Sequence, residues 1–150
     1  MLRCGNGLFS AFVVAVASFT FAPTAFARDE KSYQNTLCYG MSQAVRLHDR
    51  TIMDCGTAKF AIEIDFSDKW AEAIGQAMHY AAVTERRPGV VLICKQGTSD
   101  GICLSHALRA ESTLSYWGVQ SILWRCHSDA LMLSDCEQLE IDPAFDDGAK

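Results

Sequence analysis

The sequence predicts an α/β domain: a small mixed sheet of about four strands flanked by helices, in the order hairpin, helix, strand, helix, strand. Three observations carry this. The run Lys59 to Phe66 alternates with period two, placing Phe60, Ile62, Ile64 and Phe66 on one face and Ala61, Glu63 and Asp65 on the other. An amphipathic helix follows at once, with Trp70, Ala73, Ile74, Ala77, Met78 and Ala81 as its apolar stripe. Two continuous apolar runs, Val90 to Cys94 and Gln120 to Cys126, are separated by a helix-length segment, the pattern of a βαβ crossover between strands buried on both faces.

Taken in order, residues 1–27 read as a secretory signal peptide. Arg3 precedes the apolar LFSAFVVAVASF, and Ala25-Phe26-Ala27 supplies a small-x-small cleavage site before Arg28-Asp29-Glu30-Lys31. Cleavage after Ala27 leaves residues 28–150 as a single exported domain, periplasmic or secreted, with no membrane segment in the mature form. The apolar run is too short for a span of ~20 residues. Residues 28 to 35 read as a loose polar lead. Thr36 to Leu47 shows Leu37, Met41, Ala44, Val45 and Leu47 at helical spacing, which predicts a short helix despite Gly40.

Arg50 to Cys55 reads as the first strand, and Gly56-Thr57 as the turn of a hairpin with the strand Lys59 to Phe66. Ser67 reads as the N-cap of the amphipathic helix, with Asp68 and Glu72 suited to its positive end. Glu85-Arg86-Arg87-Pro88-Gly89 reads as the stop after Thr84. Lys95 to Gly101 is a polar loop, Ile102 to Trp117 a second helix, and Gly118 its end. The acidic tail after His127 commits to no element, and its end from Pro143 is expected to fray. Trp70, Trp117 and Trp124 read as packing residues rather than a stacking platform.

Composition narrows the function. The 150 residues are 49% hydrophobic, enough for one cored domain, with a formal net charge of -5. An acidic balance excludes tight nonspecific duplex binding, which needs a basic footprint, unless a bound cation reverses the field locally. Without Cys4 of the signal segment, Cys38, Cys55, Cys94, Cys103, Cys126 and Cys136 remain, an even set in an oxidising compartment. Sequence alone leaves more than a dozen pairings open. Local closure, Cys38 with Cys55, Cys94 with Cys103 and Cys126 with Cys136, is the simplest. A zinc site lacks a C-x-x-C pair, and His48, His79, His106 and His127 are scattered.

The candidate chemistry lies in the hairpin and the helix after it. Asp54 and Glu63 come from adjacent strands, with Asp65 two residues on. Two carboxylates suffice for a Mg²⁺ that keeps several waters, and a lysine nearby offsets charge on a phosphoryl group. Lys69, Gln76 and Tyr80 fall within roughly 40° of one another on the helix. Asp, then Glu-x-[Lys slot], then a helix with Gln76-Ala77-Met78-His79-Tyr80 and a βαβ pair, resembles the PD-(D/E)XK nuclease superfamily over about Asp54 to Cys126. The resemblance implies a restriction-endonuclease-like core, Mg²⁺ on Asp54 and Glu63 with Asp65 adjoining, substrate-side roles for Gln76 and Tyr80, and nucleic acid as the partner if the site is catalytic. The lysine slot holds Asp65, so Lys69 is expected to take over its role. Equally, Asp65 marks a scaffold that has lost catalysis and serves as a disulfide-stapled binding or structural domain.

Overall fold

The computed structural model describes residues 28–142, so the signal-peptide reading and the tail from Pro143 lie outside the described residues. The chain runs α1 (Glu30–Leu37), β1 (Ser42–Arg46), β2 (Ile52–Gly56), β3 (Phe60–Phe66), α2 (Trp70–Thr84), β4 (Arg87–Ile93), α3 (Asp100–Tyr116), β5 (Ser121–Cys126) and β6 (Glu137–Ile141). The strands form one mixed sheet in sequential order, β1-β2-β3-β4-β5-β6. Pairings β1·β2, β2·β3 and β5·β6 are antiparallel, whereas β3·β4 and β4·β5 are parallel. The α/β class, the hairpin and the βαβ pair stand. The sheet has six strands rather than about four.

Both faces of the sheet are covered, which is why the central strands read as unbroken apolar runs. Ile62, Ile64, Val91, Ile93, Ile122 and Trp124 pack toward Tyr33 and Leu37 of α1. On the opposite face Val90, Leu92 and Leu123 meet Ala73, Ile74 and Ala77 of α2 and Ala107, Ala110 and Leu114 of α3. Each such isoleucine or leucine, fully withdrawn from water, contributes ~2 kcal/mol. Pro88 is tolerated inside β4 because it lies before the pairing with β5 begins at Gly89. Gly89 itself is required by close packing, since a Cβ there would lie 2.9 Å from Ile62 Cγ1 and 3.2 Å from the Trp124 ring.

Several sequence readings are corrected. The first helix is Glu30–Leu37, not Thr36 to Leu47, so the expected loose lead is helical. Asp29 caps it by accepting from Ser32 N, and Gly40 at φ 79 turns the chain out of it. The segment read as the end of that helix is instead strand β1. Ser67 is not a side-chain cap: residues Ser67–Lys69 form a 3-10 turn that precedes α2 at Trp70. The acidic tail supplies β6. Trp124 is buried as expected, but Trp117 is 73% exposed.

Three disulfides follow the local pairing, Cys38–Cys55, Cys94–Cys103 and Cys126–Cys136, with Cα separations of 5.7, 5.6 and 4.4 Å. Such bridges persist in oxidising compartments and suit an exported protein. Among the described residues no helix is long and apolar enough to cross a membrane.

Candidate functional site

The hairpin opens where the acids lie. The paired residues of β2 and β3 are Cys55 with Ile62 and Gly56 with Ala61; beyond them the strands diverge. In the β1·β2 ladder the register runs through Gln43 with Cys55 and Val45 with Met53 but omits Ala44 and Asp54. Ala44 adopts φ 48, a left-handed conformation that costs an alanine ~1 kcal/mol. The Asp54 carboxylate takes over the bonding the ladder gives up. Its Oδ2 accepts from Ile64 N at 2.9 Å, and its Oδ1 accepts from Gln34 Nε2 at 2.9 Å. Gln34, buried on α1, also donates to Asp54 O at 3.1 Å, and the adjoining Cys38–Cys55 bridge fixes α1 to β2. Asp54 is thus held from two elements, α1 and β3.

Glu63 is 4% exposed, and its Oε2 is buried with no hydrogen-bond partner. Burial first, and then the charge of Asp54 and a shared proton with it, push its carboxyl up to about 9; Asp65 and Glu30 add to this. Burial also raises Asp54, against the pull of the Ile64 N–H and the Glu63 contact. At neutral pH the pair holds one proton, carried by Glu63, because two buried carboxylates cannot both ionise side by side. Tyr80, on α2, has its hydroxyl pushed up by burial and then by the Glu63 and Asp54 carboxyls, so it stays a neutral donor. It donates to Gln76 Oε1 at 3.2 Å, and Gln76 Nε2 reaches Glu72 Oε1 at 3.3 Å.

Asp65 faces a different partner. It is 2% exposed, its Oδ1 accepts from Phe66 N at 2.7 Å, and Lys69 Nζ lies 3.0 Å from the same oxygen. Lys69 also reaches Glu30 Oε2 at 3.5 Å. Its hydrogen bond to Asp65 raises its pKa, so it remains an ammonium at neutral pH. The Lys69 ammonium therefore reaches back from the start of α2 to Asp65 on β3.

All six sequence candidates lie in one region, in two groups: Asp54, Glu63, Tyr80 and Gln76 form one, and Asp65 with Lys69 the other. Sequence reasoning missed Glu30 and Gln34, since α1 was read as a polar lead. Tyr33, Gln34 and Leu37, buried at helical spacing, were the available signal.

Among the described residues, no group of three or more Asp, Glu, His or Cys side chains closes on a common point. A hard cation that keeps most of its waters needs only one or two carboxylates, and the orphaned Glu63 Oε2 beside Asp54 fits that donor set. The described clefts lie elsewhere. One, of about 380 Å³, is lined by Arg28, Tyr33, Phe66, Lys95, Gln96, Ser128 and Asp129. Lys69 and Glu30, which meet beside Asp65, are the exposed members of the cluster, with side chains 42% and 43% accessible. No family model, curated protein or solved structure matches the chain.

Proposed function

We propose that the protein is an exported, nuclease-like enzyme that hydrolyses phosphodiesters with Mg²⁺ at Asp54 and Glu63. The single observation carrying this reading is the buried, partnerless Oε2 of Glu63 beside a carboxylate fixed from α1 and β3. A structural glutamate in that position costs several kcal/mol of unpaired burial, which selection for stability alone does not favour. The resemblance of the Asp54, Glu63, Gln76, Tyr80 order to PD-(D/E)XK nucleases supports the same reaction class.

A bound Mg²⁺ would lower the pKa of a coordinated water and offset charge on the phosphoryl oxygens. The chain's own groups do the rest. Gln34 and the Ile64 N–H hold Asp54 in place, Asp54 and deprotonated Glu63 would hold the ion, and Asp65 aims the Lys69 ammonium. Tyr80 stays protonated and orders Gln76. Oligonucleotide cleavage in Mg²⁺ or Mn²⁺ tests this: Glu63→Ala and Lys69→Ala should each lose on the order of a hundredfold in rate, the range of a removed charge-stabilising group. If wild type and both variants leave the substrate equally intact, the reading fails.

A second reading is a non-catalytic disulfide-stapled domain with a binding or structural role in the periplasm or outside the cell. It is favoured by one observation: none of the described clefts is lined by Asp54 or Glu63. Its signature is a folded protein whose melting does not respond to divalent cations, whereas a real site stabilises by mass action.

A further inference from the structure

The cleft of about 380 Å³ beside α1 has its own chemistry. It lies at the C-terminal ends of the three parallel strands: Phe66 is the last residue of β3, Lys95 and Gln96 follow β4, and Ser128 and Asp129 follow β5. Its volume falls within the usual range for small-ligand sites. Its rings are fixed. Tyr33 and Phe66 meet edge to face with centroids 6.1 Å apart, and the Tyr33 hydroxyl donates to Ser128 O at 2.8 Å.

Each ring carries a cation. The Arg28 guanidinium lies 4.1 Å from the Tyr33 centroid, held by bonds to Ala130 O at 2.9 Å and Thr36 Oγ1 at 2.6 Å. A guanidinium held over an aromatic ring at the wall of a cleft can take a planar group against it. Lys95 Nζ lies 4.8 Å from the Phe66 centroid and 2.7 Å from Asp68 Oδ2. That ion pair is exposed, and such pairs contribute ~1 kcal/mol or less, so an incoming anion can draw Lys95 from Asp68 at little cost. Asp129 sets the polarity: it repels an anion from its own wall and accepts from a hydroxyl or amine.

We propose that this cleft binds a nucleotide, with the base on the Arg28–Tyr33 stack and the phosphate on Lys95. The ligand is either a free mononucleotide or the 5′-phosphorylated end of a strand. Gln96 and Ser128 supply an amide and a hydroxyl for the sugar and phosphate oxygens. The site depends on the rings and cations of this cleft and not on any ion at Asp54 and Glu63.

Calorimetric titration of the purified protein in EDTA tests this, with deoxyadenosine monophosphate, deoxyadenosine, inorganic phosphate, and one oligonucleotide with and without a 5′ phosphate. The monophosphate should bind at least tenfold more tightly than either the nucleoside or inorganic phosphate. Lys95→Ala, at an exposed position, and Arg28→Ala, checked for folding by melting, should each weaken it tenfold or more. Tighter binding of the phosphorylated oligonucleotide than of the monophosphate identifies a strand end; binding of the monophosphate alone identifies a free nucleotide. No binding of the monophosphate, equal binding of inorganic phosphate, or unchanged binding by folded Lys95→Ala would overturn the proposal. Nucleotide binding in EDTA without cleavage in Mg²⁺ would keep this inference and remove the nuclease reading; cleavage without such binding would do the reverse.

Discussion

Replacing Glu63 by Gln should make the protein more stable at alkaline pH, an unusual result for a mutation in a buried polar group. The ordinary glutamate value of 4.5 applies to the unfolded chain, and the folded value is about 9. Folding therefore takes up a proton across this window. The sign follows: the unfolded state binds fewer protons than the folded one, so stability is greatest near or below the unfolded pKa and declines as pH rises toward the folded one. One pKa unit corresponds to about 1.4 kcal/mol, so between about pH 5.5 and about pH 8.5 the full slope reaches ~4 kcal/mol. Solvent entry at the opened hairpin trims this, and ~2 kcal/mol or more should remain. Glutamine needs no proton, and its amide can donate to Asp54 as the protonated glutamate does. Thermal or urea melting of both proteins at three pH values measures the effect. For a domain of this size ~2 kcal/mol moves Tm by roughly 8 °C. Wild type should lose stability with pH relative to Glu63→Gln, and the curves should converge near pH 5. Parallel curves would show that Glu63 ionises normally and would refute the proton-sharing pair.

Other outcomes follow from the same contacts. The double substitution Cys38→Ser with Cys55→Ser removes the bridge that holds α1 against Asp54; it should cost ~3 kcal/mol and raise hydrogen exchange in residues 30–37 first. Gly89→Ala puts a Cβ against Ile62, Trp124 and Ile122 and should destabilise by ~1–3 kcal/mol in urea melts, with no effect on nucleotide binding at the distant strand ends. Gln34→Ala removes the two bonds its amide donates to Asp54 and should cost ~2 kcal/mol while weakening any divalent-cation response.

The central fold was legible where burial imposes a period. Phe60 to Phe66 alternates because one face packs on α1 and the other faces α2, and the runs at Val90 and Ser121 are apolar throughout because both faces are covered. The N-terminal elements were not. Leu37, Met41, Ala44, Val45 and Leu47 mimic a helical stripe by coincidence, while the glycine at residue 40, in the left-handed region, divides them between the end of α1 and an edge strand. Strand β6 escaped because an edge strand with four exposed residues of five has little hydrophobic pattern. The acids of the site could be placed on neighbouring strands from spacing. That the hairpin splays at Asp54, and that Gln34 and Glu30 reach in from α1, depends on tertiary contacts that spacing does not encode.

The most direct test of the central claim counts protons. Asp54 and Glu63 hold one proton between them, and a cation bound at Glu63 Oε2 must displace it, so binding and proton release are linked. Calorimetric titration with Mn²⁺ in two buffers of different ionisation enthalpy, near pH 7, reads the number directly. About one proton should be released per ion in the wild type, and that binding should be lost in Glu63→Gln. An ion that binds with no proton released, or no binding at any pH up to about 9, would contradict it.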